Sequence, residues 1–380
     1  MLASACQPNQ PSEQTGRADT PTQEIPANSD VAHPVATPFL GTRRYTGQVG
    51  SYPVVIELTF GDTLTTGSYY YPRHGQPLEL RATRNLLGKP LVLREVVGDS
   101  LLATWQVAIA AGPQLRGTWR SADGKRTLPF ALREDYRDAV RYAYESYSAQ
   151  SSQAQDSADC GRTGVNPSLE LDVVHLLDSE HRPALQRVQQ RLLPAPYGRL
   201  QAYVEGQVAN GNGNCAETKQ QAQVTYNGYQ LLSVNLFEAY FEAGADHPRH
   251  QMTPSTFDLR TGQQVYLRDL LRPGYEQRLR SLLTKRLQQD ALYGDFYQEE
   301  GGLPGQPFER WLDKAGRPQT LVPLPHNSFC LTPAGIEFEW GEYEIGPYVI
   351  GPQTVEMSFD EMRPMLRSNS ALRDVVVRFK

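Results

Sequence analysis

Residues 45–134 repeat one unit: a short stretch of β-forming residues closed by a glycine-bearing turn. Residues 52–60 alternate apolar and polar from Val54 on, and similar stretches follow at 67–71, 78–80, 91–95, 101–105, 115–119 and 127–132. Turn signals fall between them, at Gly61-Asp62, His74-Gly75, Leu87-Gly88, Gly98-Asp99, Gly112-Pro113 and Asp123-Gly124. A strand with a period of two cannot bury its apolar face alone. Many short strands at this spacing predict an antiparallel meander, closed or nearly closed into a barrel or sandwich. The 20 tyrosines and 31 glycines fit that architecture.

Residues 67–71 (Gly-Ser-Tyr-Tyr-Tyr) and 116–119 (Arg-Gly-Thr-Trp) set glycine beside aromatic rings. One reading is an aromatic platform for a sugar or peptide. The other is core packing, with glycine permitting a bend. Buried aromatics dominate small β cores, which favours packing.

The 380 residues exceed what one core holds. An all-β domain over 41–135, a linker over 136–160 and an α+β domain over 161–380 are expected. In the linker, Tyr136, Val140, Tyr144 and Tyr147 have helix-like spacing, but the stretch could equally be extended. In the second domain, 169–177, 221–227, 231–241 and 252–259 read as strands. Residues 183–193 and 275–291 read as amphipathic helices, the first with Pro183 at its start. Residues 328–331 and 336–340 read as a hairpin. Together these predict a two-layer domain with helices on one face of an antiparallel sheet. A net charge of −5, with Lys and Arg dispersed, argues against nucleic acid as a partner.

The chain begins Met1-Leu2-Ala3-Ser4-Ala5-Cys6, which is similar to the end of a bacterial lipoprotein signal, with residues 1–6 as its remnant and a lipid on Cys6. Ala3 stands where such signals usually carry leucine, and the charged start and apolar stretch are missing, so either a trimmed sequence or a start placed too late is expected. Residues 7–40 are rich in Gln, Pro, Ser, Thr and Asn and predict a disordered tether. The location implied is the cell envelope, on the extracytoplasmic side.

Asp246, His247 and His250 are the densest set of potential metal ligands, yet no open three-ligand site with a general base emerges. No metal or cofactor is expected, and no catalytic motif stands out. Glu337, Glu339, Glu342 and Glu344 cluster around Trp340 and Tyr343, and their alternation reads as a solvated sheet face. An acidic face with tyrosines would suit a basic protein partner. Asp246, His247, His250, Glu342, Tyr343 and Tyr348 are therefore the candidate ligand-binding residues. Cys160 and Cys215 lie in polar segments and are the expected disulfide pair, whereas Cys330 lies within a strand and should be buried.

Residues 256–271, 331–351 and 355–362 resemble the DUF3298 family, often preceded by a DUF4163-like segment, and the resemblance spans about residues 160–370. It implies an extracytoplasmic α+β domain. Relatives of that kind include lysozyme-binding anti-sigma factors and accessory domains of wall deacetylases. The expectation is a lipid-anchored, non-catalytic binding or scaffold protein that recognises cell-wall glycan or an envelope protein such as a lysozyme-like hydrolase. A wall-modifying hydrolase and an envelope-stress signalling accessory are the alternatives.

Overall fold

The computed structural model describes residues 41–61, 64–83, 91–111, 113–151, 165–209, 215–292, 294–297, 321–325 and 329–377. Cys6, residues 7–40, Cys160 and His326 lie outside them.

Eight strands close into an antiparallel barrel: β1 Gly41–Val49, β2 Tyr52–Phe60, β3 Leu64–Tyr70, β4 Leu78–Thr83, β5 Val92–Val97, β6 Ser100–Ala111, β7 Gln114–Ser121 and β8 Thr127–Glu134. β1 pairs with β2 on one side and with β8 on the other, which closes the ring. Alternation drives this arrangement. Val54, Ile56 and Leu58 of β2 point inward, as do Ala103, Trp105 and Val107 of β6. They meet Tyr45, Tyr69, Leu80, Leu93 and Phe130 in one core. Gly67 and Gly117 sit where neighbouring strands press closest. A Cβ on Gly67 would lie 2.0 Å from the Glu57 carbonyl oxygen, and one on Gly117 would lie 1.9 Å from that of Gln106.

The sequence-based list of strands lacks β1. Arg43 and Arg44 break its apolar pattern, yet Arg44 is only 4% exposed. Its guanidinium donates to the Asp135 carbonyl at 2.9 Å and pairs with Asp138 at 3.7 Å.

Part of the expected linker is structure. β9, Tyr142–Gln150, pairs along its whole length with β10, Ser168–Leu176. The ambiguous tyrosine spacing thus resolves as extended chain. A six-stranded sheet follows in the order β14-β13-β12-β11-β10-β9, completed by β11 Ala216–Gly228, β12 Leu231–Glu242, β13 Arg249–Asp258 and β14 Gln263–Val265. The sheet is mixed, because β10 and β11 run parallel. A parallel pair needs a crossover, and helices α1 Pro183–Leu192 and α2 Leu200–Ala209 provide it.

The two helices cover opposite faces. Val174 and Leu176 of β10 pack with α1, whereas Leu169, Leu171 and Val173 pack with α2. The expected α+β domain is present, but it is covered on both sides rather than on one. Gln189 of α1 latches the helix to β10 where β11 no longer pairs with it. Its amide donates to the Val174 carbonyl at 3.0 Å and accepts from the Leu176 N–H at 2.6 Å.

A three-stranded sheet, β15 Phe329–Leu331, β16 Gly335–Trp340 and β17 Gln353–Ser358, lies against β11, β12 and β13. Its outer side (Phe329, Leu331, Ile336, Phe338, Trp340) packs on Leu279, Leu283 and Leu287 of α3, Glu276–Gln288. Barrel and sheets belong to one compact unit, Leu40–Lys380. Glu57 of β2 ties them together by accepting from the Tyr142 hydroxyl at 3.0 Å and the Asn227 amide at 3.3 Å.

Candidate functional site

The sequence candidates meet where the β12–β13 connection faces residues 341–351. His247 stacks on Tyr348 at 3.6 Å between ring centroids, with 21° between planes. Its Nε2 is 3.2 Å from the Tyr343 hydroxyl and its Nδ1 is 3.0 Å from the Pro248 carbonyl. With Nδ1 protonated toward the carbonyl, Nε2 accepts from Tyr343, so both ring nitrogens are engaged. The Tyr348 hydroxyl donates to the same carbonyl at 2.9 Å. His250 Nδ1 lies 2.6 Å from Glu342 Oε1, and the His250 N–H donates to Oε2 at 3.1 Å. Tyr343 holds a left-handed backbone, φ 64°, which a tyrosine adopts at a cost. Asp246 stays exposed and outside this group. The arrangement works as a clasp across the hairpin. Five of the six candidates come together in it, with their polar atoms turned on one another.

The expected solvated acidic face is corrected. Glu339 is 1% exposed, and the Glu342 side chain is 6% exposed. Alternation along β16 does place Glu337 and Glu339 on one side, but that side faces the six-stranded sheet. The residues that cover it lie about 100 positions earlier, so local pattern could not show it. Burial pushes the Glu339 carboxyl up to about 7, and raises Glu337 and Cys330 as well. Cys330 is buried, as expected, and is the free cysteine among the described residues. Glu344 is exposed.

A different site opens at one end of the barrel, and the sequence reading had only half of it. A groove of about 960 Å³ is lined by Tyr52, Tyr71, Trp119, Arg73, His74 and Arg126, with Leu128 and two prolines at its sides. Its rings continue an aromatic column that runs into the core. Tyr52 meets Tyr71 edge-on at 6.3 Å, Tyr71 meets Tyr69 at 5.6 Å, and Tyr69 meets Trp105 at 5.0 Å. Trp119 is held by its indole N–H, which donates to the buried Glu95 at 3.1 Å. The two glycine-aromatic segments therefore serve both readings. Tyr69 is core at 1% exposure, whereas Tyr71 and Trp119 are half-buried at the mouth. No carboxylate lines the groove among the described residues, and its charged side chains are the arginines Arg73 and Arg126. Concave, ring-lined and sparsely polar, it has the physical make-up of a small-ligand site.

Barrel, mixed sheet and small sheet define a β-rich protein with a groove at the barrel mouth and a clasped hairpin in its second half. Within this architecture, residues 268–360 match the model of DUF3298, a family described as proteins of unknown function. The match is narrower than the span of the sequence resemblance, and contains the 331–351 signature. Two crystal structures are similar. A DUF3298 family member from Bacteroides fragilis is 16% identical with a TM-score of 0.46, over 64% of this chain and 99% of that one. A DUF3298 family protein from Pseudomonas aeruginosa PAO1 is 17% identical with a TM-score of 0.43, over 61% and 96%. No curated protein matches the chain.

Proposed function

We propose that this is an envelope-anchored binding protein that captures an anionic cell-wall glycan at the mouth of its barrel. The observation that carries this reading is the groove itself, with three aromatic rings, two arginines and a histidine and no acid among them. Sugar rings present C–H faces that stack on aromatic side chains, and arginine forks pair with carboxylate or phosphate substituents. Tyr52 is 58% exposed, in position to receive such a face. The anchor in this reading is the lipid on Cys6, with residues 7–40 as spacer. Support for it is the small-residue run before Cys6 and the polar composition after it. A Cys160–Cys215 disulfide belongs to the same extracytoplasmic reading. Cys215 is buried at the start of β11, and Cys330 is accounted for as the free thiol.

The test is titration of the full chain, carrying Cys6→Ser, with soluble muropeptides and with neutral chitooligosaccharides. Muropeptides, which carry a lactyl or peptide carboxylate, should bind the more tightly, with affinity falling as salt rises. Trp119→Ala and Arg126→Ala should each weaken binding by about tenfold, equivalent to about 1.4 kcal/mol. Equal binding by Trp119→Ala and the parent chain would remove the groove from the account.

A further inference from the structure

Between the small sheet and the six-stranded sheet lies a buried polar layer that the groove does not use. Cys330 of β15 and Glu337 of β16 face each other in register, and Glu339 follows on the same side of β16. The Cys330 sulfur is 3.6 Å from Glu337 Oε1 and 3.6 Å from Glu339 Oε1. The three potential ligand atoms all lie within 4.8 Å of one another. From the opposite sheet, Asn235 of β12 donates its amide to Glu339 Oε1 at 2.7 Å. Thr225 of β11 lies at a break in the strand register, and its buried hydroxyl has no hydrogen-bond partner among the described residues.

Two features of this layer are not explained by packing. The first is an unmet oxygen. Glu339 is 1% exposed, and its Oε2 has no hydrogen-bond partner among the described residues, nor does Oδ1 of Asn235. A buried carboxylate oxygen left unpaired is costly. The second is charge. Three acidic groups converge, with the Cys330 thiol set between the carboxyl groups of Glu337 and Glu339. Buried carboxylates pair with a cation, coordinate a metal or take up a proton.

We propose that Cys330, Glu337 and Glu339 bind a divalent transition metal of the zinc class, which pins the small sheet to the six-stranded sheet. The spacing fits. With a metal–sulfur bond of about 2.3 Å and a metal–oxygen bond of about 2.1 Å, tetrahedral geometry separates sulfur from oxygen by about 3.6 Å. Both sulfur–oxygen distances have that value. One thiolate with carboxylate oxygens is a ligand set that suits zinc and accepts cobalt, and disfavours calcium and magnesium. The sequence hides it because the ligands arise from a hairpin rather than from a paired-cysteine motif.

The experiment loads the full chain (with Cys6→Ser) by refolding in the presence of cobalt chloride, then reads absorption and metal content. One cobalt per chain and a thiolate-to-metal charge-transfer band in the near ultraviolet are expected. Excess zinc should displace the cobalt. Cys330→Ser should abolish the band, while Cys215→Ser should leave it intact. Because Cys330→Ser risks misfolding, Glu339→Gln provides an isosteric second variant. It should keep the parent circular dichroism and lose at least tenfold in cobalt affinity, whereas Glu344→Gln, on the exposed side, should match the parent. A refolded parent chain that holds no cobalt would overturn the site. So would a charge-transfer band unchanged in folded Cys330→Ser, or affinity unchanged in Glu339→Gln.

Discussion

Tyr69 donates its phenolic hydroxyl to Glu95 Oε2 at 2.8 Å inside the barrel, on the same carboxylate oxygen that receives the Trp119 indole. Glu95 is 4% exposed, so this carboxylate is the joint between the core column and the groove. Glu95→Ala should leave two donors short of an acceptor and cost roughly 2–3 kcal/mol in urea unfolding. Glu95→Gln keeps one acceptor oxygen and should cost roughly 1 kcal/mol. A tryptophan fluorescence shift in Glu95→Ala would report the freed Trp119.

Gly117→Ala should be among the most damaging of small substitutions. Its new methyl would sit 1.9 Å from the Gln106 carbonyl and 2.8 Å from the Phe130 ring, so β6 and β7 must part. A loss of roughly 2–3 kcal/mol is expected from overpacking alone. Gly198→Ala meets nothing within 4 Å and should leave the melting temperature unchanged. Differential scanning calorimetry of the pair separates the steric effect from a general intolerance of alanine.

Acid should weaken the turn after β8. Hydrogen bonds from the Arg137 guanidinium, with help from the Arg137 N–H and the Thr46 hydroxyl, hold the Asp135 carboxyl well below its ordinary 3.8. A depressed carboxyl binds protons less readily in the folded state than in the unfolded one. Its stabilisation is therefore complete above about pH 4 and lost as pH falls through the lowered value. Asp135→Asn should flatten that part of the stability curve. Urea midpoints at pH 5, 4 and 3 for the two chains check the slope, and parallel curves would count against it.

The hairpin clasp should behave locally. Tyr348→Ala removes both the stack on His247 and the bond to the Pro248 carbonyl. Roughly 1 kcal/mol of global stability should go with it. Hydrogen exchange should speed up in residues 341–351 and 243–250 and stay unchanged in the barrel. Uniform acceleration would mean that the clasp supports the whole fold.

Most of the barrel was readable because each strand carries its own alternation, as Val54, Ile56 and Leu58 show. β1 was not, because Arg44 looks solvent-exposed until Asp135 and Asp138 are placed beside it. The parallel pairing of β10 with β11 left no local mark either, since register between strands about 50 residues apart is a property of the sheet. At the candidate site, His247 and Tyr343 were each noticed, but the contact between them spans 96 residues and no period encodes it. Glu337 and Glu339 show the sharpest limit. Alternation assigns them one face correctly, yet whether water or Asn235 lies on that face depends on a sheet built elsewhere.

The ring of the barrel closes between the first of its strands and the last, with Tyr45 opposite Glu134. Chains are made from the N-terminus at roughly 5–20 residues per second, so the last strand follows the first by roughly 5–20 seconds. β2 satisfies one side of β1 early, but the other side must wait as a bare row of donors and acceptors. The nascent chain thus carries an open template for pairing with its neighbours until β8 arrives. Crowded synthesis, or any pause between residues 50 and 127, should raise the yield of misassembled chains without altering the stability of those that close.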